Sequence, residues 1–301
     1  MKKYKIADLV FTADMEDTLL HPSMSDFLCN NDDAPAFTVT TDTDAFTHAE
    51  AFKYIKDNAD KQLILSNYMM VLKTSNGYRF YYHAQPKILC CDVDMEKNSA
   101  VIHLSTEEIE LLEPGYGCAD TSQLSFIDYI FYVLRDIFFT FAPLYNMLPV
   151  HSSTIIYNDK AYVFSARSGT GKTTHTNLWI NNFGVEILDG DVTMLSVNDG
   201  NPLAFGMPWC GTSTKYLNKK VPLGGIIFLS QAKENTVSEL NPLDATLSIM
   251  ARSFAPSWTK EQSNLNCSLS EQISSKTLCL HLACLPNDEA AFKVKEYIDT
   301  H

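Results

Sequence analysis

The chain has 301 residues, of which 46% are hydrophobic and 20% charged, and its formal net charge is −13. This balance is typical of a globular protein and excludes long disordered stretches, and the length allows two domains. An acidic chain repels nucleic-acid phosphates, so we expect no nucleic-acid partner.

The cysteines and the apolar segments bear on the compartment of the protein. The eight cysteines include no C-x-x-C pair, and the first residues lack the apolar core of a secretory signal. We therefore expect free thiols and a cytoplasmic location. The most apolar window, residues 126–149, is interrupted by Asp128, Arg135 and Asp136, so it predicts a buried helix and no membrane partner.

Residues 1–147 are predicted to form a β-rich N-terminal domain. Two runs rich in apolar and aromatic residues, 68–73 and 78–82, flank Asn76-Gly77, which is a strong two-residue signal for a β-hairpin. Residues 88–104 predict a second pair of strands around a polar turn. The pattern thus favours an antiparallel arrangement early in the chain.

A long apolar helix is predicted near the end of this first domain. Residues 125–145 are crowded with Phe and Tyr and are apolar on most faces. The change of pattern after this helix places the domain boundary at residues 147 and 148, and residues 148–301 form the second domain.

The second domain alternates strands with helices, which is typical of an α/β or α+β fold. Strands are predicted at residues 153–157, 161–164, 185–188, 203–205 and 225–229, and helices at residues 173–181 and 288–298.

A glycine-rich loop lies between the second of these strands and the first helix. It consists of Ser168, Gly169, Thr170, Gly171, Lys172, Thr173 and Thr174. Glycines in such a loop let backbone N–H groups point at phosphate oxygens, and the helix N-terminus adds partial positive charge. Lys172 can reach the β- and γ-phosphates, and the Thr173 hydroxyl can bind Mg²⁺. The full motif begins with Gly, where this chain has Ala166.

Three further side chains are candidates for catalysis at this loop. Asp189 and Asp191 follow the strand that comes after the loop helix, and a nucleotide site needs a carboxylate for its metal ion. His151 precedes the first strand of the domain. A structural role for each of these residues is the alternative interpretation.

The loop and its surroundings resemble HPr kinase/phosphorylase, and less closely the ATP-dependent phosphoenolpyruvate carboxykinases. The resemblance covers residues 148–240 and rests on the order His151, loop, Asp191, with additional likeness at residues 206–211 and 220–223. It implies a nucleotide-binding core with a mixed sheet. It also implies ATP as the nucleotide, Mg²⁺ held by Thr173 and Asp191, a catalytic role for Lys172, and self-assembly into homo-oligomers.

The acidic turn departs from the HPr kinase pattern, which has two adjacent Asp residues. Here Gly190 separates Asp189 from Asp191. With Asp191 aligned on the metal-binding Asp, Gly190 lies where the general base should be. Asp189 and His151 both remain candidates for that base. The oxaloacetate-binding Arg of the carboxykinases is not located, which argues against decarboxylation.

Two hypotheses for the function follow. The first is an ATP-dependent kinase that transfers the γ-phosphoryl group to a serine-like hydroxyl of a small molecule, a peptide or a protein. The second is an ATP-binding regulatory or assembly protein without phosphotransfer. The residues themselves identify neither the acceptor nor the role of residues 1–147.

Overall fold

The computed structural model describes residues 1–30, 32–43, 47–66, 68–82, 87–105 and 125–300. The chain divides into two compact units, Met1–Phe138 and Phe139–His301. Each unit contains helices and one sheet, and each sheet has both parallel and antiparallel strand pairs. Within the described ranges, no helix combines the length and the apolar character that a membrane span requires.

The first unit contains a sheet with strand order β1-β2-β3-β8-β7-β6-β5-β4. Its strands are β1 (Lys2–Ile6), β2 (Leu9–Asp14), β3 (Phe37–Asp42), β4 (Gln62–Leu65), β5 (Met69–Lys73), β6 (Gly77–Tyr82), β7 (Ile88–Asp94) and β8 (Ser99–Leu104). Helix α1 (His48–Asp57) precedes β4, and helix α2 (Phe126–Phe141) extends across the division between the two units.

Both predicted strand pairs of this unit are confirmed. Strands β5 and β6 form an antiparallel hairpin in which Met69 is paired with Tyr82, and β7 pairs with β8 in the same way. Gly77 is needed for a different reason than its turn signal indicates. It is the first residue of β6, and a Cβ there would lie 2.0 Å from the carbonyl oxygen of Val93, so only glycine allows the approach of β7.

The apolar helix is also confirmed, with slightly shorter bounds than predicted. Ile130, Val133 and Ile137 of α2 are completely or almost completely buried. Phe138 makes edge-on contacts with the rings of Phe11 and Phe37, which are stacked on each other in the sheet of the first unit. Burial of this helix stabilises the unit through the apolar surface that it removes from water.

The second unit contains a sheet with strand order β12-β10-β11-β15-β14-β13-β9, in which β17 also pairs with β15 and β16. The strands are β9 (Met147–His151), β10 (Ser153–Tyr157), β11 (Lys160–Ser165), β12 (Glu186–Asp189), β13 (Val192–Asn198), β14 (Asn201–Phe205), β15 (Lys220–Gln231), β16 (Thr236–Glu239) and β17 (Leu278–Cys284). The helices are α3 (Lys172–Phe183), α4 (Pro242–Met250), α5 (Lys260–Ser274) and α6 (Asp288–Thr300).

Strand β15 joins the two halves of this sheet. Its first residues pair antiparallel with β14, and its later residues pair parallel with β11 on one side and β17 on the other. Alternate residues of β11 serve opposite faces. Val163 packs with the cluster that includes α4 and α5, whereas Phe164 packs with the cluster that includes α3 and α6. The parallel strands are therefore covered by helices on both faces, as their apolar sequences require.

The predicted elements of this unit are all present, with bounds that differ by a few residues. The hairpin of β10 and β11 turns at Asn158 and Asp159, whose φ values of 49° and 58° are those of a two-residue hairpin turn. The sequence pattern missed β9, β13, β16, β17, α4 and α5. The overall class, mixed α/β with mixed sheets, agrees with the prediction.

Candidate functional site

The glycine-rich loop leaves β11 and leads directly into α3. Gly169 and Gly171 have φ values of 77° and 116°, a backbone conformation that glycine adopts without steric cost. Within the described part of the chain, no group accepts a hydrogen bond from the backbone N–H of Gly169, Gly171 or Thr173. Together with the N-terminus of α3, these donors make the loop suited to an anion such as phosphate.

Lys172, His151 and Asp191 come together beside this loop. The Nζ atom of Lys172 lies 2.9 Å from Nε2 of His151, and the same Nε2 lies 3.4 Å from Oδ1 of Asp191. Burial lowers the pKa of Lys172; the charge of Arg252 lowers it further, while Asp191 opposes the shift. Three of the four residues predicted to be catalytic are therefore neighbours in the structure.

The strand register explains why residues so far apart in sequence meet here. His151 ends β9 and is paired with Val192, the first residue of β13. The next residue, Ser152, donates its backbone N–H to the carbonyl of Asp191 at 2.8 Å. The acidic turn is thereby held against the end of β9.

Hydrogen bonds of buried hydroxyl groups hold the strands and α3 in place around Lys172, His151 and Asp191. Ser165, the last residue of β11, donates to the carbonyl of His151 at 2.6 Å. Ser153 donates to the hydroxyl of Thr176 on α3 at 3.2 Å, and the hydroxyls of Thr154 and Thr193 lie 2.6 Å apart. Because buried polar groups need partners, this network fixes the relative positions of the strands, the loop and α3.

Asp189, the fourth predicted catalytic residue, has a different environment. Its side chain is completely buried. Oδ1 accepts hydrogen bonds from the backbone N–H groups of Asp191 and Val192, both at 2.9 Å, and Oδ2 accepts one from Met207 at 2.8 Å. Burial raises the pKa of this carboxyl group above its usual value, and the three N–H donors oppose the shift. These contacts anchor the acidic turn to the segment after β14.

Gly190, between the two Asp residues, is tightly enclosed. A Cβ at this position would lie 2.0 Å from Oγ and 2.5 Å from Cβ of Ser213. The backbone N–H of Gly190 donates to the carbonyl of Lys215 at 3.0 Å. A larger side chain therefore does not fit here unless the segment around Ser213 moves. Position 190 therefore cannot hold the carboxylate that the HPr kinase pattern has there.

A cavity of ≈ 950 Å³ adjoins the opening residues of the loop. Its wall includes residues 165–170, residues 228–231 of β15, His281 of β17, and Arg252, which follows α4. Arg252 does not belong to any of the motifs found in the sequence. One signal could have pointed to it, because the chain contains only four arginines, and two of them, Arg167 and Arg252, lie in this wall.

A separate polar cluster lies within the first unit. Cys90, Asp92 and His103 offer atoms of metal-binding type within 4.8 Å of one another. Arg79, however, binds Asp92 through two nitrogens, at 2.5 and 2.6 Å. Burial favours the neutral acid, yet His103 and Arg79 hold the pKa of Asp92 below its usual value. The carboxylate already has a cation as its partner, so we interpret the cluster as a structural ion pair.

Comparison with known proteins finds likeness among solved structures only. No protein-family model matches the chain, and no curated protein matches it. Among solved structures, the HPr(Ser) kinase/phosphatase from Coxiella burnetii is similar over 51% of this chain and 95% of its own length, with 10% sequence identity and a TM-score of 0.30.

Proposed function

We propose that the second unit is an ATP-dependent kinase that transfers the γ-phosphoryl group to a hydroxyl acceptor. The observation that carries the proposal is the convergence of Lys172, His151 and Asp191 beside a loop with available N–H donors. Phosphoryl transfer depends mainly on positioning and on neutralising the charge of the phosphates, and these groups supply both.

The loop is the proposed site for the phosphates of ATP. The residues from Ser168 to Thr174 would hold them through backbone N–H groups and hydroxyls, while Lys172 would contact the β- and γ-phosphates. Since Lys172 now contacts His151, this contact is expected to be exchanged for the phosphates when ATP binds. Such an exchange would leave Nε2 of His151 available for another partner.

Thr173 and Asp191 are the proposed ligands of Mg²⁺. The donor set fits the ion, since Thr173 is exposed at the start of α3 and the Asp191 side chain is 36% exposed, with its carboxylate beside the loop. Bound Mg²⁺ would neutralise phosphate charge. The close packing of Gly211 against Asp191, where a Cβ would lie 2.6 Å from Oδ2, limits the orientations of that carboxylate.

His151 is our candidate for the group that orients or deprotonates the acceptor hydroxyl. The competing candidate, Asp189, uses both of its oxygens to accept backbone hydrogen bonds and has no exposed surface. A general base must reach the proton that it removes, and His151 is partly exposed beside the loop. We therefore assign Asp189 to holding the acidic turn in place.

One observation favours the second hypothesis, a nucleotide-binding regulator without phosphotransfer. Gly190 occupies the position of the expected base, and Ser213 closes the space beside it. If His151 does not replace that base, the site would bind ATP without transferring phosphate at a useful rate.

The experiment that tests the proposal is calorimetric titration of ATP–Mg²⁺ and ADP–Mg²⁺ into the wild-type protein and into Lys172→Ala. Loss of one charge-assisted contact should weaken ATP binding by about tenfold to a hundredfold. The exposed Lys233→Ala removes the same charge elsewhere in the unit and should bind as the wild type does. No binding to the wild type would overturn the proposal, and binding without any phosphate release would favour the regulator.

A further inference from the structure

The cavity beside the loop lies where parallel strands end. Strands β11, β15 and β17 are neighbours and run parallel, and the wall of the cavity includes Ser165 at the end of β11 and residues 228–231 at the end of β15. Ligands of α/β proteins commonly bind outside the carboxyl ends of such strands. A volume of ≈ 950 Å³ is within the range that holds a small molecule.

The arginines distinguish this cavity from the rest of the surface. In the first unit, Arg79 is paired with Asp92 and Arg135 with Asp136. The other two arginines of the chain, Arg167 and Arg252, both lie in the cavity wall. Among residues that the structure describes, no carboxylate lies within ion-pair distance of either guanidinium group.

Two unpaired arginines are unexpected in this chain, because acidic residues outnumber basic ones by 36 to 23. The cavity wall has one carboxylate of its own, Asp244. That group already accepts a hydrogen bond from the side-chain amide of Asn241 at 2.7 Å, at the first turn of α4. Because neither guanidinium group lies within ion-pair distance of Asp244, both remain available to an anion from solution.

Arg252 is held in a fixed relation to the candidate catalytic residues. Its carbonyl accepts a hydrogen bond from the backbone N–H of His151 at 2.9 Å, and the neighbouring Ser253 forms a β-bridge with Val150. Its charge acts on Lys172, the residue expected to contact the β- and γ-phosphates. The cavity thus adjoins the opening residues of the loop, and Arg252 in its wall is bonded through the main chain to His151.

We propose that this cavity binds the phosphate acceptor, a small hydroxyl compound that carries a phosphate or carboxylate group, and that the guanidinium of Arg252 holds this anionic group. The planar guanidinium suits either group, because it can donate two parallel hydrogen bonds to their oxygens. The assignment of an acceptor rests on the proposed kinase function, whereas the anion site rests on the cavity alone. In the transfer step, the acceptor oxygen would form a bond to the γ-phosphorus, the bond from that phosphorus to the bridging oxygen of ADP would break, and the hydroxyl proton would pass to His151.

The test is calorimetric titration of inorganic phosphate and, in a separate arm, of acetate. Both are added to protein saturated with a non-hydrolysable ATP analogue and Mg²⁺, so that the loop is already filled. Wild-type protein should bind at least one of the two anions, and the arm that responds tells a phosphate from a carboxylate preference. Arg252→Ala should weaken that binding by about tenfold or more, and Arg252→Lys should weaken it less. The Lys233→Ala control should bind within about twofold of the wild type.

The outcomes separate this inference from the proposed function. If the ATP analogue does not bind, the kinase proposal fails. The anions are then titrated into nucleotide-free Lys172→Ala protein, in which the loop has lost its cation.

The inference is overturned if neither anion binds, or if binding is the same with and without Arg252. Competition between the anion and the ATP analogue would also overturn it, because the nucleotide would then occupy the cavity. Thermal melting of the Arg252 variants shows whether they are folded; the main-chain bond to His151 does not depend on the side chain.

Discussion

The Nε2 atom of His151 lies between the Nζ atom of Lys172, at 2.9 Å, and Oδ1 of Asp191, at 3.4 Å. A single ring nitrogen therefore faces both the cation expected to bind phosphate and the carboxylate expected to bind Mg²⁺. A charged lysine can only donate hydrogen bonds, so in this contact Nε2 is the acceptor and the proton of a neutral ring is on Nδ1. Under the proposed function, one event affects all three residues: Lys172 exchanges its contact with His151 for the phosphates of an incoming nucleotide.

The first prediction concerns His151→Gln. We expect ADP–Mg²⁺ affinity and thermal stability to remain near those of the wild type, while ATP turnover falls by about 10²-fold to 10⁴-fold. The reason is that glutamine can accept a hydrogen bond but cannot take up a proton. Calorimetry measures the affinity, and release of radiolabelled phosphate measures the turnover. Turnover equal to that of the wild type would remove His151 from the mechanism.

The second prediction is a matched pair, Asp189→Asn and Asp191→Asn. An amide at position 189 must place an N–H donor against a backbone donor, so Asp189→Asn should lower the free energy of unfolding by about 3 kcal/mol. Asp191 is partly exposed, so Asp191→Asn should lower the free energy of unfolding by less than about 1 kcal/mol. Urea denaturation measures both values.

The order of the two variants should be reversed for Mg²⁺-dependent binding of ATP, where Asp191→Asn should have the larger effect. Asp191→Asn should weaken ATP binding in the presence of Mg²⁺ but not in its absence, because it removes a metal ligand and also removes a negative charge that repels the phosphates. If Asp189→Asn proved as stable as the wild type and yet failed in phosphoryl transfer, Asp189 would be the base, and our assignment of its structural role would be wrong.

Local signals in the sequence were sufficient for the loop and its flanking elements. The turn at Asn158-Asp159, the strand before the loop and the glycines at 169 and 171 each depend on residues close in sequence. They do not depend on tertiary contacts, which is why the hairpin, the loop and α3 are where the pattern predicts them.

Tertiary contacts decide what the sequence left open. Asp189 and Asp191 look alike in sequence, and only burial and backbone donors assign them different environments. Arg252 is far from the loop in sequence, and it meets His151 through a main-chain hydrogen bond that follows from the path of the chain after α4. Such a main-chain contact leaves no periodic pattern of side chains, so the sequence alone does not predict it.

The third prediction concerns Gly190→Ala. The new Cβ would overlap the side chain of Ser213, so the free energy of unfolding should fall by about 1–3 kcal/mol. Gly200→Ala is the control, because Gly200 has a φ of 81° but no atom within 4 Å of a new Cβ, so only backbone strain of about 1 kcal/mol is expected. Adding Ser213→Gly should restore part of the stability to Gly190→Ala and none to Gly200→Ala. Additive effects at positions 190 and 213 would show that the two residues are not in contact.

The last prediction concerns the stability of the protein below neutral pH. His175 lies on the inner side of α3, where its Nε2 accepts a hydrogen bond from the indole of Trp179 at 3.1 Å and its ring contacts Phe164. Burial lowers the pKa of His175 from 6.5 to about 4. The unfolded chain therefore binds a proton in this interval that the folded chain does not bind. This difference destabilises the folded protein: the loss of stability is absent above pH 6.5 and grows as the pH falls towards 4.

The measurement is the free energy of unfolding of wild type and His175→Gln between pH 7.5 and pH 4. Glutamine keeps an acceptor for Trp179 but does not titrate, so the difference between the two proteins isolates the histidine. We expect the wild type to lose about 1.4 kcal/mol more than the variant for each pH unit below 6.5, or about 3 kcal/mol in all. The difference should stop growing near pH 4, where the folded protein also becomes protonated. A difference that does not change with pH would mean that His175 is protonated as readily in the folded chain as in the unfolded chain, and that α3 opens far enough to hydrate it.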